Sequence, residues 1–136
     1  MKFEYTISNL DFSTAGEASS NIKKVLKLLG IDSKVIRRAS IATYEAEINI
    51  AIHSHGGKIV LYIEEDSIKI ITIDKGPGIE NIELAMKEGY STATHEIREM
   101  GFGAGMGLPN IKKCSNEFSI TSEFGKYTKL EITIFI

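Results

Sequence analysis

The amino-acid sequence predicts an α+β fold, a two-layer sandwich in which helices cover one face of a mixed, mainly antiparallel sheet. Two observations support this prediction. Helical patterns occupy most of residues 14–53, and four of the five β-rich segments follow them. Helices that precede a run of strands are typical of folds in which the helices collect on one side of the sheet. At 136 residues, the chain is expected to form a single domain over residues 1–136 with a real hydrophobic core.

Two helices are predicted in the first half of the chain. The segment from Thr14 to Glu17 has the spacing of a capping box and predicts the start of a helix that ends at Gly30. Asp32 or Ser33 then caps a longer helix that reaches about His53. Each helix therefore has both a start signal and a stop signal.

The strands are predicted from apolar–polar alternation and from β-rich composition. They are residues 2–8, 58–64, 67–74, 118–122 and 128–135. The second and third flank Glu65 and Asp66 and predict a hairpin. Two short helices are expected, over residues 79–87 and from Pro109 to about Cys114, since proline suits the first turn of a helix.

Composition excludes several classes of partner. The net charge is −2, with acids and bases interspersed, so neither a nucleic-acid nor an anionic-membrane partner is indicated. No apolar segment approaches the roughly 20 residues that span a bilayer. The N-terminus lacks the apolar core of a signal peptide. The single cysteine, Cys114, fits a reducing compartment, so a cytoplasmic location is expected.

The first polar motif is an acid–amide pair in the second helix. On a wheel of about 100° per residue, Glu45 and Asn49 fall within an apolar arc that includes Ile41 and Ile48. Polar groups that face a core need a partner, water or a ligand. They either form a buried hydrogen-bond network or act on a nucleotide, with the Asn49 oxygen holding Mg²⁺ and Glu45 orienting or deprotonating a nucleophile. Glu47 falls on the opposite side of the wheel and is the natural control: its replacement is expected to change neither nucleotide binding nor phosphoryl transfer.

The second motif is a carboxylate at a tight turn. Asp74 ends a β-rich run and is followed by Gly76 and Gly78, which allow the backbone to approach a flat ligand closely. The carboxylate can accept the exocyclic amino hydrogen of adenine. The alternative is an ordinary turn in which Asp74 bonds to its own backbone.

The third motif is a glycine-rich loop that leads into the helix at Pro109. Its glycines are Gly101, Gly103, Gly105 and Gly107. Such a loop presents unpaired N–H groups and the positive end of the helix dipole to phosphates. It matches neither a Walker A loop nor a dinucleotide-binding fingerprint. The alternative is a hinge without a ligand.

In this order and spacing, the three motifs resemble those of the GHKL (Bergerat) ATP-binding fold shared by gyrase, Hsp90, histidine kinases and MutL. Within that superfamily the chain is most similar to the stand-alone anti-sigma and switch-protein serine kinases of the RsbW, SpoIIAB and RsbT type. The narrower resemblance rests on chain size, on the spacing from Glu45 to Asn49, and on the runs Gly-Tyr-Ser-Thr (89–92) and Gly-Leu-Pro-Asn (107–110).

The resemblance implies ATP and Mg²⁺ as cofactors and assigns roles by position. It implies Glu45 as catalytic base, Asn49 as Mg²⁺ ligand and Asp74 as adenine contact. The remaining nucleotide contacts that it implies are Gly76, Gly78, Gly101, Gly103, Gly105, Met106, Gly107, Leu108 and Thr128. Residues 88–104 would form the ATP lid. Tyr127 departs from the pattern, because relatives usually carry a glycine there.

The activity implied is transfer of the ATP γ-phosphate to serine or threonine of a partner protein. That partner would be an anti-anti-sigma (STAS-like) substrate or a sigma factor, and a homodimer is left open. One alternative is a non-catalytic module that senses ATP and ADP, which Glu45 disfavours because a pure binding site needs no base. The other is a detached histidine-kinase-type catalytic domain, which usually lacks a glutamate at that position.

Overall fold

A computed structural model describes residues 1–8, 15–79, 81–87 and 107–136. The elements are, in chain order, β1 (Lys2–Ile7), α1 (Glu17–Leu28), α2 (Ser33–His53), β2 (Gly57–Ile63), β3 (Ser67–Lys75), α3 (Ile82–Ala85), α4 (Gly107–Cys114), β4 (Glu117–Glu123) and β5 (Tyr127–Phe135). These bounds lie within a few residues of the predicted ones, so the predicted order of elements is confirmed. Within the described ranges, none of the helices combines the length and apolar character that a bilayer span requires.

The strands form a five-stranded sheet in the order β1-β2-β3-β5-β4. Each of its pairings is antiparallel, so the sheet is more uniform than the mixed one expected. The register of β3 on β5 places Asp74 opposite Thr128 and Lys75 opposite Tyr127. This pairing brings the end of β3 and the start of β5 to the same edge of the molecule.

The core lies between the sheet and the layer formed by α1, α2 and α4. Alternate strand residues point into it, as the period of a strand requires. The fully buried strand side chains include Ile59, Leu61, Ile68, Ile70, Ile132 and Ile134. They meet Ile22 and Leu26 of α1 and Ile111 of α4. The fold class predicted from the sequence is therefore confirmed.

The core-facing side of α2 matches the predicted arc at Ile48, Ala42 and Ala46 and differs from it at Ile41. Ile41 is 37% exposed, whereas the other three and Ala39 are buried. The helix lies between α1 and α4, in contact with both. Small side chains let a helix approach two neighbours closely, so the alanines form the contact surface. The prediction that Ile41 faces the core was therefore wrong.

The start of α1 also differs from the prediction. The residue before the helix is Gly16, with φ of +95°, and no side chain of its own caps the helix. Instead, the Glu47 carboxylate of α2 accepts hydrogen bonds from the N–H groups of Gly16 at 3.1 Å, Ala18 at 3.2 Å and Ser19 at 2.7 Å. Thr14, on which the predicted capping box depended, lies outside the described residues.

Glu47, which the wheel placed on the side away from Glu45, therefore has a structural role of its own. Its side chain is only 3% exposed. Burial raises the pKa of the Glu47 carboxyl, and the backbone N–H donors of Ser19, Ala18 and Gly16 oppose that rise. The first N–H groups of a helix have no partner within the helix. Glu47 supplies that partner and ties α1 to α2.

Candidate functional site

The Asp74 turn lies against the C-terminal end of α2, the helix that carries the predicted residues Glu45 and Asn49. The contact is made by Ser54, which directly follows α2. A Cβ atom placed on Gly76 would lie 3.0 Å from the Ser54 Cβ and 3.3 Å from Asp74 Oδ1. The turn after β3 is thus packed directly against the end of the helix that carries Glu45 and Asn49.

Glu45 and Asn49 lie one turn apart on α2, and both side chains are half-buried. The start of α4 lies against them. A Cβ atom on Gly107 would lie 2.8 Å from Asn49 Oδ1 and 3.0 Å from Asn49 Nδ2, so only glycine leaves room for the amide in this position. One turn further along α4, Asn110 Nδ2 donates to Glu45 Oε1 at 3.4 Å. The predicted acid–amide pair therefore faces the helix that follows the glycine loop.

Asp74 lies at the end of β3, where its Oδ1 accepts a hydrogen bond from the Thr128 N–H at 3.1 Å. The side chain is half-buried. Burial raises the pKa of the Asp74 carboxyl, and the Thr128 N–H partly offsets this. The structure therefore brings Asp74 and Thr128, two of the predicted nucleotide contacts, into direct contact with each other.

Gly78 has a structural reason to be glycine that the sequence did not reveal. Its φ is +72°, and a Cβ atom there would lie 2.5 Å from the Glu123 carbonyl oxygen. A residue with a side chain would suffer both backbone strain and a collision with the β4–β5 turn. The close approach seen here is to the protein's own hairpin, whereas the predicted approach to a ligand stays a prediction.

Sequence reasoning missed Ser122, which joins this turn to the hairpin. Ser122 Oγ accepts from the Ile79 N–H at 2.7 Å and donates to the Tyr127 carbonyl at 2.9 Å. It also lies 3.1 Å from Thr128 Oγ1. Nothing in the sequence singles out this serine, because it reads as one polar residue of an alternating strand. Only the fold shows that it helps to position Thr128.

Tyr127, the departure from the family pattern, is accommodated within the sheet. It is the first residue of β5 and pairs with Lys75 of β3 and Glu123 of β4. Leu108 is partly buried and packs against the core. The other predicted contacts of the glycine loop lie outside the described residues, as does the lid predicted for residues 88–104. These contacts are Gly101, Gly103, Gly105 and Met106.

The described residues fit a magnesium–nucleotide group. Asn49 supplies a neutral oxygen and Glu45 a carboxylate, both of which are the oxygen ligands that Mg²⁺ prefers. Gly107 leaves room beside the Asn49 amide. It is the first residue of α4, and the N–H groups at the N-terminal end of a helix favour negative charge. Asp74 presents a carboxylate acceptor beside Ser54, at the C-terminal end of α2.

Comparison with known families agrees with this geometry. A family profile described as "Histidine kinase-, DNA gyrase B-, and HSP90-like ATPase" matches residues 34–136. The matched segment contains α2, β3 and α4, the elements that build the site. The chain therefore belongs to this ATPase family, as the three motifs predicted.

Two individual relatives show which members of this ATPase family the chain resembles. The chain is 32% identical to the serine/threonine-protein kinase RsbT of Bacillus subtilis over 127 residues, covering 89% of this chain and 86% of that protein. It is also 32% identical to the anti-sigma F factor of a Thermoanaerobacter species, covering 98% of this chain and 96% of that protein. The predicted resemblance to anti-sigma factors and switch-protein kinases is thus confirmed.

Two solved structures share the fold at low sequence identity. The SiaB–SiaC complex from Pseudomonas aeruginosa contains a chain with a TM-score of 0.64 at 13% identity, and the match covers 98% of this chain and 88% of that one. The mycobacterial sensor histidine kinase MprB gives a TM-score of 0.55 at 16% identity, covering 99% of this chain and 97% of that one. At these identities, the likeness supports the fold and no finer statement.

Proposed function

We propose that this chain is an ATP-dependent protein serine/threonine kinase of the anti-sigma and switch-protein class. The observation that carries this proposal is the position of Glu45. It lies one turn from Asn49, faces the start of α4, and is half-exposed, so a hydroxyl group can reach it. A site that only bound nucleotide would need no carboxylate there. The names of the two relatives, a serine/threonine kinase and an anti-sigma factor, support the same proposal.

In the proposed reaction, a serine or threonine oxygen of the partner bonds to the γ-phosphorus as the bond to the β–γ bridging oxygen breaks. Glu45 accepts the hydroxyl proton, and ADP leaves. Asp74 accepts the adenine amino hydrogen, next to Thr128. Asn49 would hold Mg²⁺, which neutralises phosphate charge when bound. Most of the catalysis in such a transfer comes from positioning and charge neutralisation.

The proposed phosphate contacts continue beyond Gly107 into the glycine loop. They are the backbone groups of Gly101, Gly103, Gly105, Met106, Gly107 and Leu108. Gly76 and Gly78 would lie beside the adenine ring. We propose that residues 1–136 act as one ATP-binding domain in the cytoplasm. The partner proposed is an anti-anti-sigma (STAS-like) substrate or a sigma factor, and the name of the anti-sigma relative supports a partner of that class. Self-association into a homodimer stays a prediction.

The proposal is tested by incubating the purified chain with radiolabelled ATP and with the proteins that neighbouring genes encode. The expected result is label on one protein that survives acid, because phosphoserine and phosphothreonine are acid-stable. Acid-labile label would instead indicate phosphohistidine and a histidine-kinase-type activity. Tight nucleotide binding without any labelled protein would indicate a sensing module and contradict the kinase proposal.

A further inference from the structure

Helix α2 carries four residues at intervals of four that lead away from the nucleotide end of the site. They are Asn49, Glu45, Ile41 and Arg37. Residues four apart are neighbours on a helix surface and form a ridge inclined to the axis. Each step rises about 6 Å, so Arg37 lies about 12 Å along the axis from Glu45. We call the segment from Arg37 through Ile41 to Glu45 the α2 ridge.

The middle of the α2 ridge is apolar and accessible. Ile41 is 37% exposed, and Tyr44, one turn away, is 38% exposed. Neither belongs to the core on the sheet side of the helix. An exposed apolar residue alone needs no explanation. Here Ile41 lies one turn from the proposed base and one turn from Arg37, which is the arrangement of a protein interface with an apolar centre and a polar rim.

The far end of the α2 ridge is basic. Arg37 and Lys34 are exposed on α2, and Lys112 is exposed in the last turn of α4. Arg38 holds these helices together, because its Nε donates to the Cys114 carbonyl at 2.9 Å. No carboxylate occurs in residues 33–44 or 107–114. Among the described residues, Arg37 takes no part in the ion pairs Lys69–Glu64, Lys126–Glu123 and Lys129–Glu131.

The basic end and the proposed base both lie along the contact between α2 and α4. Arg38, next to Arg37, donates to the Cys114 carbonyl at 2.9 Å, and Glu45 accepts from Asn110 of α4 at 3.4 Å. The α2 ridge therefore begins and ends beside residues that bond to α4.

We propose that the α2 ridge docks the substrate protein and that this protein presents an acidic side chain about 12 Å from its phosphoacceptor hydroxyl, with an apolar side chain between them. This inference rests on the proposed kinase function. The acidic group would pair with Arg37, the apolar group would cover Ile41, and the hydroxyl would reach Glu45. A nucleic acid or an anionic lipid fits less well, because a polyanion carries charge along its whole length and the ridge is basic at its Arg37 end only.

The test compares Arg37→Glu with Lys23→Glu, a matched charge reversal at an exposed lysine of α1. The substrate is the acceptor protein that the labelled-ATP screen identifies. We expect Arg37→Glu to raise KM for that protein roughly tenfold, with kcat and ATP affinity nearly unchanged. Ile41→Ser should raise KM in the same direction, and Lys23→Glu should not. Reversing one acidic residue of the acceptor to lysine should restore KM for Arg37→Glu only.

Each outcome decides the proposal. A wild-type KM in both Arg37→Glu and Arg37→Gln would overturn the proposed docking role of the α2 ridge and would leave the kinase function intact. An equal rise in KM for Lys23→Glu would indicate attraction to any polyanion, nucleic acid included, and would also overturn it. If the wild-type chain labels no protein, the kinase proposal fails and the ridge fails with it. Thermal melting of each variant confirms that a rise in KM does not come from unfolding.

Discussion

At the scale of single residues, Asp74 combines a binding role with a cost in stability. Burial raises its pKa, so the ionised form is less favourable in the folded chain than in the unfolded one. A raised pKa contributes stability at low pH that is lost as pH rises through the folded value. At neutral pH the ionised Asp74 therefore weakens the nucleotide-free protein.

Asp74→Asn should accordingly melt at the same or a higher temperature than wild type at pH 7 without nucleotide. Asparagine keeps an oxygen for the Thr128 N–H and carries no charge. The difference should shrink as pH falls through the raised pKa, because both side chains are then neutral. Thermal melts followed by circular dichroism from pH 4 to pH 7 measure this. A clear loss of stability at pH 7 would mean that Asp74 is satisfied by contacts within the protein alone.

The same residue should set the preference for adenine. A carboxylate accepts the adenine amino hydrogen but would face the carbonyl oxygen of guanine, leaving an unpaired acceptor that costs about 1–3 kcal/mol. Wild type should therefore bind ATP more tightly than GTP, and Asp74→Asn should lose most of that preference. Calorimetric titration with both nucleotides measures it. Equal affinity of the wild-type chain for ATP and GTP would refute the assignment.

At the scale of elements, the contact between α2 and the start of α4 explains a glycine. In Gly107→Ala the new methyl group would meet the Asn49 amide at about the 2.8 Å found for an added Cβ. The amide can move at little cost to folding, but it then leaves the position proposed for binding Mg²⁺. We expect near-wild-type stability and weaker ATP binding in the presence of Mg²⁺, with a smaller change in its absence. A loss of similar size with and without Mg²⁺ would contradict this role for Asn49.

The contact between α1 and α2 leads to a prediction about folding. Glu47→Ala removes the acceptor for three N–H groups at the start of α1 and leaves a small cavity. We expect the free energy of unfolding to fall by about 2–4 kcal/mol, from the lost cap and the unpaired donors. Urea denaturation measures this, with the exposed Glu117→Ala on β4 as the control. A loss no larger than that of the control would show that water replaces Glu47 without cost.

At the scale of the whole molecule, the sequence predicted the features that local patterns encode. Periodicity defined the strands and helices, and the motifs were recognised from local residue spacing, within α2 for Glu45 and Asn49 and at element ends for Asp74 and Gly107. Glu47 and Ser122 were not predictable, because their partners lie far along the chain. Glu47 bonds to Ser19, 28 positions away, and Ser122 to Ile79, 43 positions away. The prediction for Ile41 was wrong because a helical wheel gives only the direction of each side chain. It cannot show how closely neighbouring helices approach.

The central claim is that Glu45 accepts a proton during phosphoryl transfer from bound ATP. The most direct measurement is the rate of labelled-phosphate transfer to the acceptor protein by Glu45→Gln at saturating ATP, beside wild type and Glu117→Gln. Loss of a general base typically lowers a rate by about 10²–10⁴. We predict a loss of that size for Glu45→Gln, with ATP affinity nearly unchanged and Glu117→Gln fully active. Transfer by Glu45→Gln at the wild-type rate would contradict the claim.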